Sequence, residues 1–175
     1  MHLFDAEGNS ASSETLAAWQ RAGHNSLATG TLHNFAELNR NRPPADGSHT
    51  HTVFGINAQI HAEDDVSILE TLTQHEAVAR CAHRVGAGRP VIVGPISLGR
   101  RNDSVDPRVR TQFGARWLLE SLKLLAKSAC VESVTCFHAH GPAGFMDQTR
   151  STPVERLLKA LAGRDTLPAD FAIPA

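Results

Sequence analysis

The chain has 175 residues, 41% of them hydrophobic, with a formal net charge of −1. That length suits one domain with its own core, and the near-neutral, apolar-rich composition excludes a disordered chain or one that coats nucleic acid. No apolar run approaches the ~20 residues that cross a bilayer, and the start MHLFDAEGNSASSE lacks the basic and apolar regions of a secretory leader, so the cytoplasm is the expected compartment.

In chain order, SSETLAAWQRAG (12–23) places Leu16 and Trp19 at helical spacing and stops at Gly23. HNSLATGTL (24–32) is a weak strand signal. The polar stretch TLHNFAELNRNRPP that overlaps its end reads as the loop leaving that strand. TVFGINAQIH (52–61) is a buried parallel strand. SILETLTQHEAVARCAHRVGAG (67–88) predicts one long helix, with Ser67 and Glu70 in capping-box spacing and Ile68, Leu72, Ala79 and Ala82 on one face. RPVIVGPISL (89–98) is a third strand. DPRVRTQFGARWLLESLKLLAKSA then predicts a helix with Asp106 as N-cap, Pro107 at its first position, and a stripe of Phe113, Trp117, Leu118, Leu122 and Leu125. VESVTCFHAH (131–140) is the fourth strand, and TPVERLLKALAG closes the series with a Thr152 cap, Pro153, Glu155 and an exit at Gly163.

A helix followed by four βα units is the grammar of an α/β fold with a parallel sheet and right-handed crossovers. A complete (β/α)8 barrel takes roughly 250 residues, so four units make either a small open sheet or half of a barrel. Residues 1–175 are expected to form a single domain, with 1–11 and 164–175 as peripheral tails. Cys81, Cys130 and Cys136 have no CxxC spacing and read as reduced packing residues. Arginine outnumbers lysine 14 to 3. That bias suits bidentate contacts to oxyanions, and a GC-rich genome produces it equally well.

Ligands of parallel α/β folds gather at the carboxyl ends of strands. There this chain places Asn34, Glu37, Asn39, Arg40 and Arg42 after the first strand. Asn57 and Gln59 lie on the second, followed by His61, Asp64 and Asp65; Arg100 to Asp103 follow the third; His138 and His140 end the fourth. Glu37 fits a general acid or base tuned by Arg40 or Arg42, and fits a surface salt bridge as well. Asn57 and Gln59 share a strand face, pointing inward to a ligand or to structural hydrogen bonds. One of Asp64 and Asp65 is expected to cap the following helix, which leaves His61 the freer candidate.

His49-Thr-His51 and His138-Ala-His140 have metal-pair spacing, but a third converging ligand is not evident. Metal hydrolases of that kind also need a lysine at a strand end, and Lys123, Lys127 and Lys159 all fall in helices. No metal and no cofactor are therefore expected. The absence of GxGxxG, P-loop and GxSxG motifs removes the parts that dinucleotide, nucleotide and serine-hydrolase chemistry require. No basic stripe interleaved with aromatics suggests nucleic-acid binding.

FAELNRNRPP, INAQIHAEDDVSILETL, GRPVIVGPISL and DPRVRTQFGARWLLESLKLLAKS together resemble the closing half of the barrel domain of D-apionate lactonase-like proteins, a family similar in outline to retaining glycoside hydrolases. The resemblance runs from about Ala28 to Met146. It implies that the four strands correspond to strands five to eight of a (β/α)8 barrel. It also implies hydrolysis of a sugar lactone or related carbohydrate chemistry. By this analogy Glu37 or His61 assists a water, while Arg40, Arg42 or Asn57 holds carbonyl or hydroxyl oxygens. His138 stands where relatives carry a glutamate, which makes it a third catalytic candidate. Asn34, Asn39, Gln59, Asp64 and His140 complete the expected surface for a small carbohydrate or sugar-acid ligand. A half-barrel would leave a sheet edge and its inner wall open, so association with a second copy or a complementary half-barrel chain is expected. The alternative function is a half-barrel that binds sugar acids or a partner chain without turnover.

Overall fold

The structure is a computed structural model. It describes residues 1–175 apart from 101–105, 137, 142–143, 148, 165, 167–170, 172 and 174–175, and apart from the Arg100 side chain. Four parallel strands, β1 (Ala28–Asn34), β2 (His51–Gln59), β3 (Val91–Arg100) and β4 (Val131–Cys136), lie side by side in chain order in one sheet. The helices are α1 (Ser13–Arg21), α2 (Phe35–Arg40), α3 (Asp65–Glu70), α4 (His75–Val85), α5 (Gln112–Ala126) and α6 (Pro153–Leu161). This is the α/β architecture that the alternation of patterns predicts. Among the described residues no helix is long and apolar enough to cross a membrane.

Three local expectations are corrected. The stretch after β1 is a short helix, not a loop. Asn34 Oδ1 accepts the Ala36 N–H at 2.9 Å, Leu38 is buried, and Phe35 meets Phe54 edge-on at 6.2 Å. An N-cap with an apolar anchor outweighs the polar composition of the rest. The long helix expected over 67–88 is broken. Asp64, not Ser67, caps α3 by accepting the Ser67 N–H at 2.9 Å. Residues Thr71–Gln74 then tighten into a 3₁₀ turn, where the Thr71 and Thr73 hydroxyls donate back to the carbonyls of Ile68 and Glu70. Such back-bonding competes with the helical ladder and bends it. Asp106 does cap, but it caps a single 3₁₀ turn over Pro107–Arg110; Thr111 is extended (φ −107, ψ 173) and α5 starts after it.

The contacts group into two compact units. One comprises Met1–Ile56, Glu76–Ile96 and Ser128–Thr135; the other comprises Asn57–His75, Ser97–Lys127 and Cys136–Ala175. In the first unit the core includes Leu16, Leu27, Leu38, Phe54, Ala79, Ala82, Val91 and Val93. Its β1 and β2 pair Ala28 with His51, Thr29 with Thr52 and Gly30 with Val53, then slip so that Asn34 meets Gly55. Gly30 sits at that slip with φ +151, and a Cβ there would lie 2.0 Å from the Val53 carbonyl oxygen. Only glycine fits. In the second unit Ile68, Leu98, Trp117, Leu118, Leu125, Val154 and Leu157 are fully buried.

Candidate functional site

The side chains expected at the strand ends divide between the units. In the first, Asn34 is spent as the α2 cap. One turn on, the Glu37 carboxylate pairs with the Arg40 guanidinium, with the Glu37 side chain 30% and the Arg40 side chain 68% exposed. Arg42 turns back on Asn39, donating through Nη2 to Oδ1 at 2.8 Å and through Nε to the carbonyl at 3.3 Å. The cluster that is densest in the sequence is thus a self-paired, solvent-facing helix end.

In the second unit Asn57 and Gln59 follow the alternation expected of one strand face. Asn57 Oδ1 accepts the Gln59 N–H at 2.8 Å. Gln59 is buried. Its Nε2 donates to the Leu98 carbonyl and, at 2.5 Å, to Asp106 Oδ2, while its Oε1 has no hydrogen-bond partner among the described residues. Asp64 is the α3 cap, and the Ser67 N–H it accepts holds its carboxyl below the usual range. His61, His138 and His140 are exposed. Of these, the His138 backbone carbonyl accepts the Phe145 N–H at 2.9 Å.

Around Gln59 the structure assembles a network that inspection of strand ends missed. Asp106 is 4% exposed. Its Oδ1 accepts Arg108 N–H at 2.8 Å and Nε at 3.0 Å, and its Oδ2 accepts Nη2 at 2.6 Å. The same guanidinium reaches Asp65 and donates to the Glu63 carbonyl at 2.8 Å, with the Phe113 ring 5.5 Å from its central carbon. Burial pushes the Asp106 carboxyl up, but the donors from Arg108 and Gln59 outweigh it and leave the acid below its ordinary value. The Asp106 hydrogen bonds raise Arg108 in turn. A carboxylate so fully engaged holds its proton acceptors away from a substrate, so its role is to fix the Pro107–Arg110 turn that precedes α5. The sequence signal was present: a proline between Asp106 and Arg108 sets a turn that brings the two side chains together.

The two histidine pairs separate as well. His49 is 1% exposed and burial lowers its pKa, whereas His51 Nε2 lies 3.1 Å from both Glu132 carboxylate oxygens. Among the described residues no three His, Cys, Asp or Glu side chains are grouped so as to hold a metal ion. The three cysteines are free and half-buried, and burial pushes the Cys136 thiol up to about 11, away from thiolate chemistry.

What the described residues offer chemically is, in the first unit, a half-buried Glu37 with exposed Arg40 and Arg42, and, in the second, exposed His61, His138 and His140 with the buried Gln59 amide and the Asp106–Arg108 ion pair. No curated protein matches the chain. The sequence model of the family described as D-apionate lactonase, TIM barrel domain, matches residues 10–166. With four parallel strands and their flanking helices inside that span, the chain belongs to the D-apionate lactonase TIM barrel domain family.

Proposed function

We propose that this protein opens a sugar lactone by hydrolysis. The family match over residues 10–166 carries this conclusion. In the reaction a water oxygen adds to the lactone carbonyl, the ring C–O bond breaks, and the departing alkoxide takes a proton, leaving a hydroxy acid that ionises at neutral pH. The protein has to supply a base for the water and donors for the oxyanion. Glu37 and His61 are the two candidates for the base. Arg40 and Arg42 carry the donors that a developing oxyanion needs. The Asn57 amide, its oxygen already occupied by Gln59 N–H, keeps its donor end for a substrate oxygen. His138 is positioned by sequence to serve as the acid for the leaving oxygen.

Binding of a sugar acid without turnover is favoured by one observation: Glu37 and Arg40 already neutralise each other, and Arg42 is engaged by Asn39. Proton release from a panel of five-membered sugar lactones, followed at constant pH with the hydroxy acid identified by NMR, separates the two. Hydrolysis predicts catalysed release that His61→Gln or Glu37→Gln lowers by about 10²- to 10⁴-fold. Saturable binding of the sugar acid with no release above the buffer rate would establish the binding function instead.

A further inference from the structure

Residues 1–11, expected as a peripheral tail, are hydrogen-bonded onto β1: residues 1–3 ladder along Ala28, and residues 4–10 form a turn in which Phe4 bridges Ser10 in antiparallel fashion. Leu3 N–H donates to the Ala28 carbonyl and Ala28 N–H donates to the Met1 carbonyl, both at 2.8 Å, and His2 bridges Ala28 in parallel. Farther along, Leu32 N–H donates to the Gly8 carbonyl at 2.9 Å. Two β1 side chains complete the attachment. Thr29 Oγ1 donates to the Leu3 carbonyl and accepts the Ala11 N–H, each at 2.8 Å, and Thr31 Oγ1 donates to the Gly8 carbonyl at 3.2 Å. Leu3 packs against the buried Ala11, Leu16 and Leu27.

This segment takes the backbone groups of β1 that face away from β2. The sheet order β1-β2-β3-β4 makes β1 one edge and β4 the other. An unpaired edge is a template for strand addition, and the segment covers the one at β1. All but its last two residues lie outside the family match, which begins at residue 10. The cover is also shallow: Met1, His2, Asp5, Ala6 and Glu7 are exposed, and segments with few buried contacts open most readily.

We propose that residues 1–9 are a displaceable segment that blocks the β1 edge, and that its release makes β1 an acceptor for β4 of a second copy of this chain. The occupant follows from the sheet itself. β4 (Val131–Cys136) is the other edge of the same parallel sheet, with Glu132, Ser133 and Thr135 exposed. A two-fold axis that sets β4 of each copy beside β1 of the other doubles four strands to the eight of a closed (β/α)8 barrel. The segment and the second copy compete for one edge, so its attachment holds the chain as a monomer.

The test is light scattering across a concentration series on the full-length wild type, Leu3→Pro and Thr29→Val, with hydrogen exchange of the peptide covering residues 1–9. Leu3→Pro removes the donor to Ala28, and Thr29→Val removes the bonds to Leu3 and Ala11 without touching the β1 backbone. The expected result is a wild type of single-chain mass with slow exchange in that peptide. Either variant should exchange there about tenfold faster or more, with mass rising toward twofold as concentration increases. A wild-type dimer with the peptide still protected would overturn the proposal. So would faster exchange at an unchanged single-chain mass, and so would unchanged exchange in both variants, which would show a strand that is not displaceable. The readouts are mass and exchange, so this result is independent of whether the protein hydrolyses lactones.

Discussion

Two charged clusters, one in each compact unit, behave in opposite ways. The Glu37–Arg40–Arg42 cluster packs charge densely into six residues, yet it lies open to solvent on α2, with Arg40 68% exposed. The Asp106–Arg108 pair lies in an equally charged stretch, DPRVR, and flanks a proline, yet Asp106 is 4% exposed and its carboxylate meets Arg108, Gln59 and the turn backbone. Solvent screens the first and gives its side chains freedom to meet a ligand. Burial makes the second a structural commitment, because removing one partner strands the other charge away from water. Burial, rather than the density of charge along the chain, therefore separates the pair that holds the fold from the cluster that stays open to a ligand.

That contrast can be broken most directly at Arg108. Arg108→Met leaves the Asp106 carboxylate buried without its guanidinium and should destabilise the chain by about 3–5 kcal/mol in urea unfolding. Loss of less than about 1 kcal/mol would show that the pair is solvated. Nearly as large is the effect expected of Gly30→Ala. The added carbon meets the Val53 carbonyl at 2.0 Å in a left-handed backbone, and overpacking of this kind costs about 3 kcal/mol, read as a drop in melting temperature.

A third effect depends on pH. His75 is 3% exposed, stands 5.9 Å from the Trp117 ring and keeps its Nδ1 on the Thr71 carbonyl at 2.9 Å, and burial lowers its pKa from 6.5. The unfolded chain therefore takes up this proton first as pH falls below 6.5. Stability is lost in that window, by at most about 1.4 kcal/mol per pH unit for each such histidine. His49 and His2 shift in the same direction. His75→Phe should flatten, without abolishing, the fall in melting temperature between about pH 7 and pH 5; an unchanged slope would place that titration elsewhere. The smallest effect belongs to the exposed cluster, where Arg40→Ala should change stability by less than about 1 kcal/mol in the same urea assay.

How much of this was legible in the sequence varies with the physics of each residue. The four strands were, because apolar runs and caps such as Thr152 and Asp106 are local signals, and those caps form in the structure. The break in the long helix was not, since the Thr71 and Thr73 hydroxyls donate back to the Ile68 and Glu70 carbonyls and redirect the turn, an effect that apolar spacing does not show. At the site, Asn57 and Gln59 could be placed on one face by alternation alone. Gln59's real partner, Asp106, lies 47 residues away, a separation that no periodicity encodes. Arg108 was passed over because residues nearest the strand end drew the attention, and the turn that aims it back follows a segment, 101–105, outside the described residues.

The most direct measurement is the kcat/KM for sugar-lactone hydrolysis by purified Glu37→Gln against wild type, with the melting temperature of each taken alongside. The account predicts that the wild type releases acid and that the variant does so about 10²-fold more slowly or worse at an unchanged melting temperature. A wild type no faster than buffer would contradict it; a variant as fast as wild type would leave His61 as the base and return the Glu37–Arg40 pair to the role of an ordinary surface ion pair.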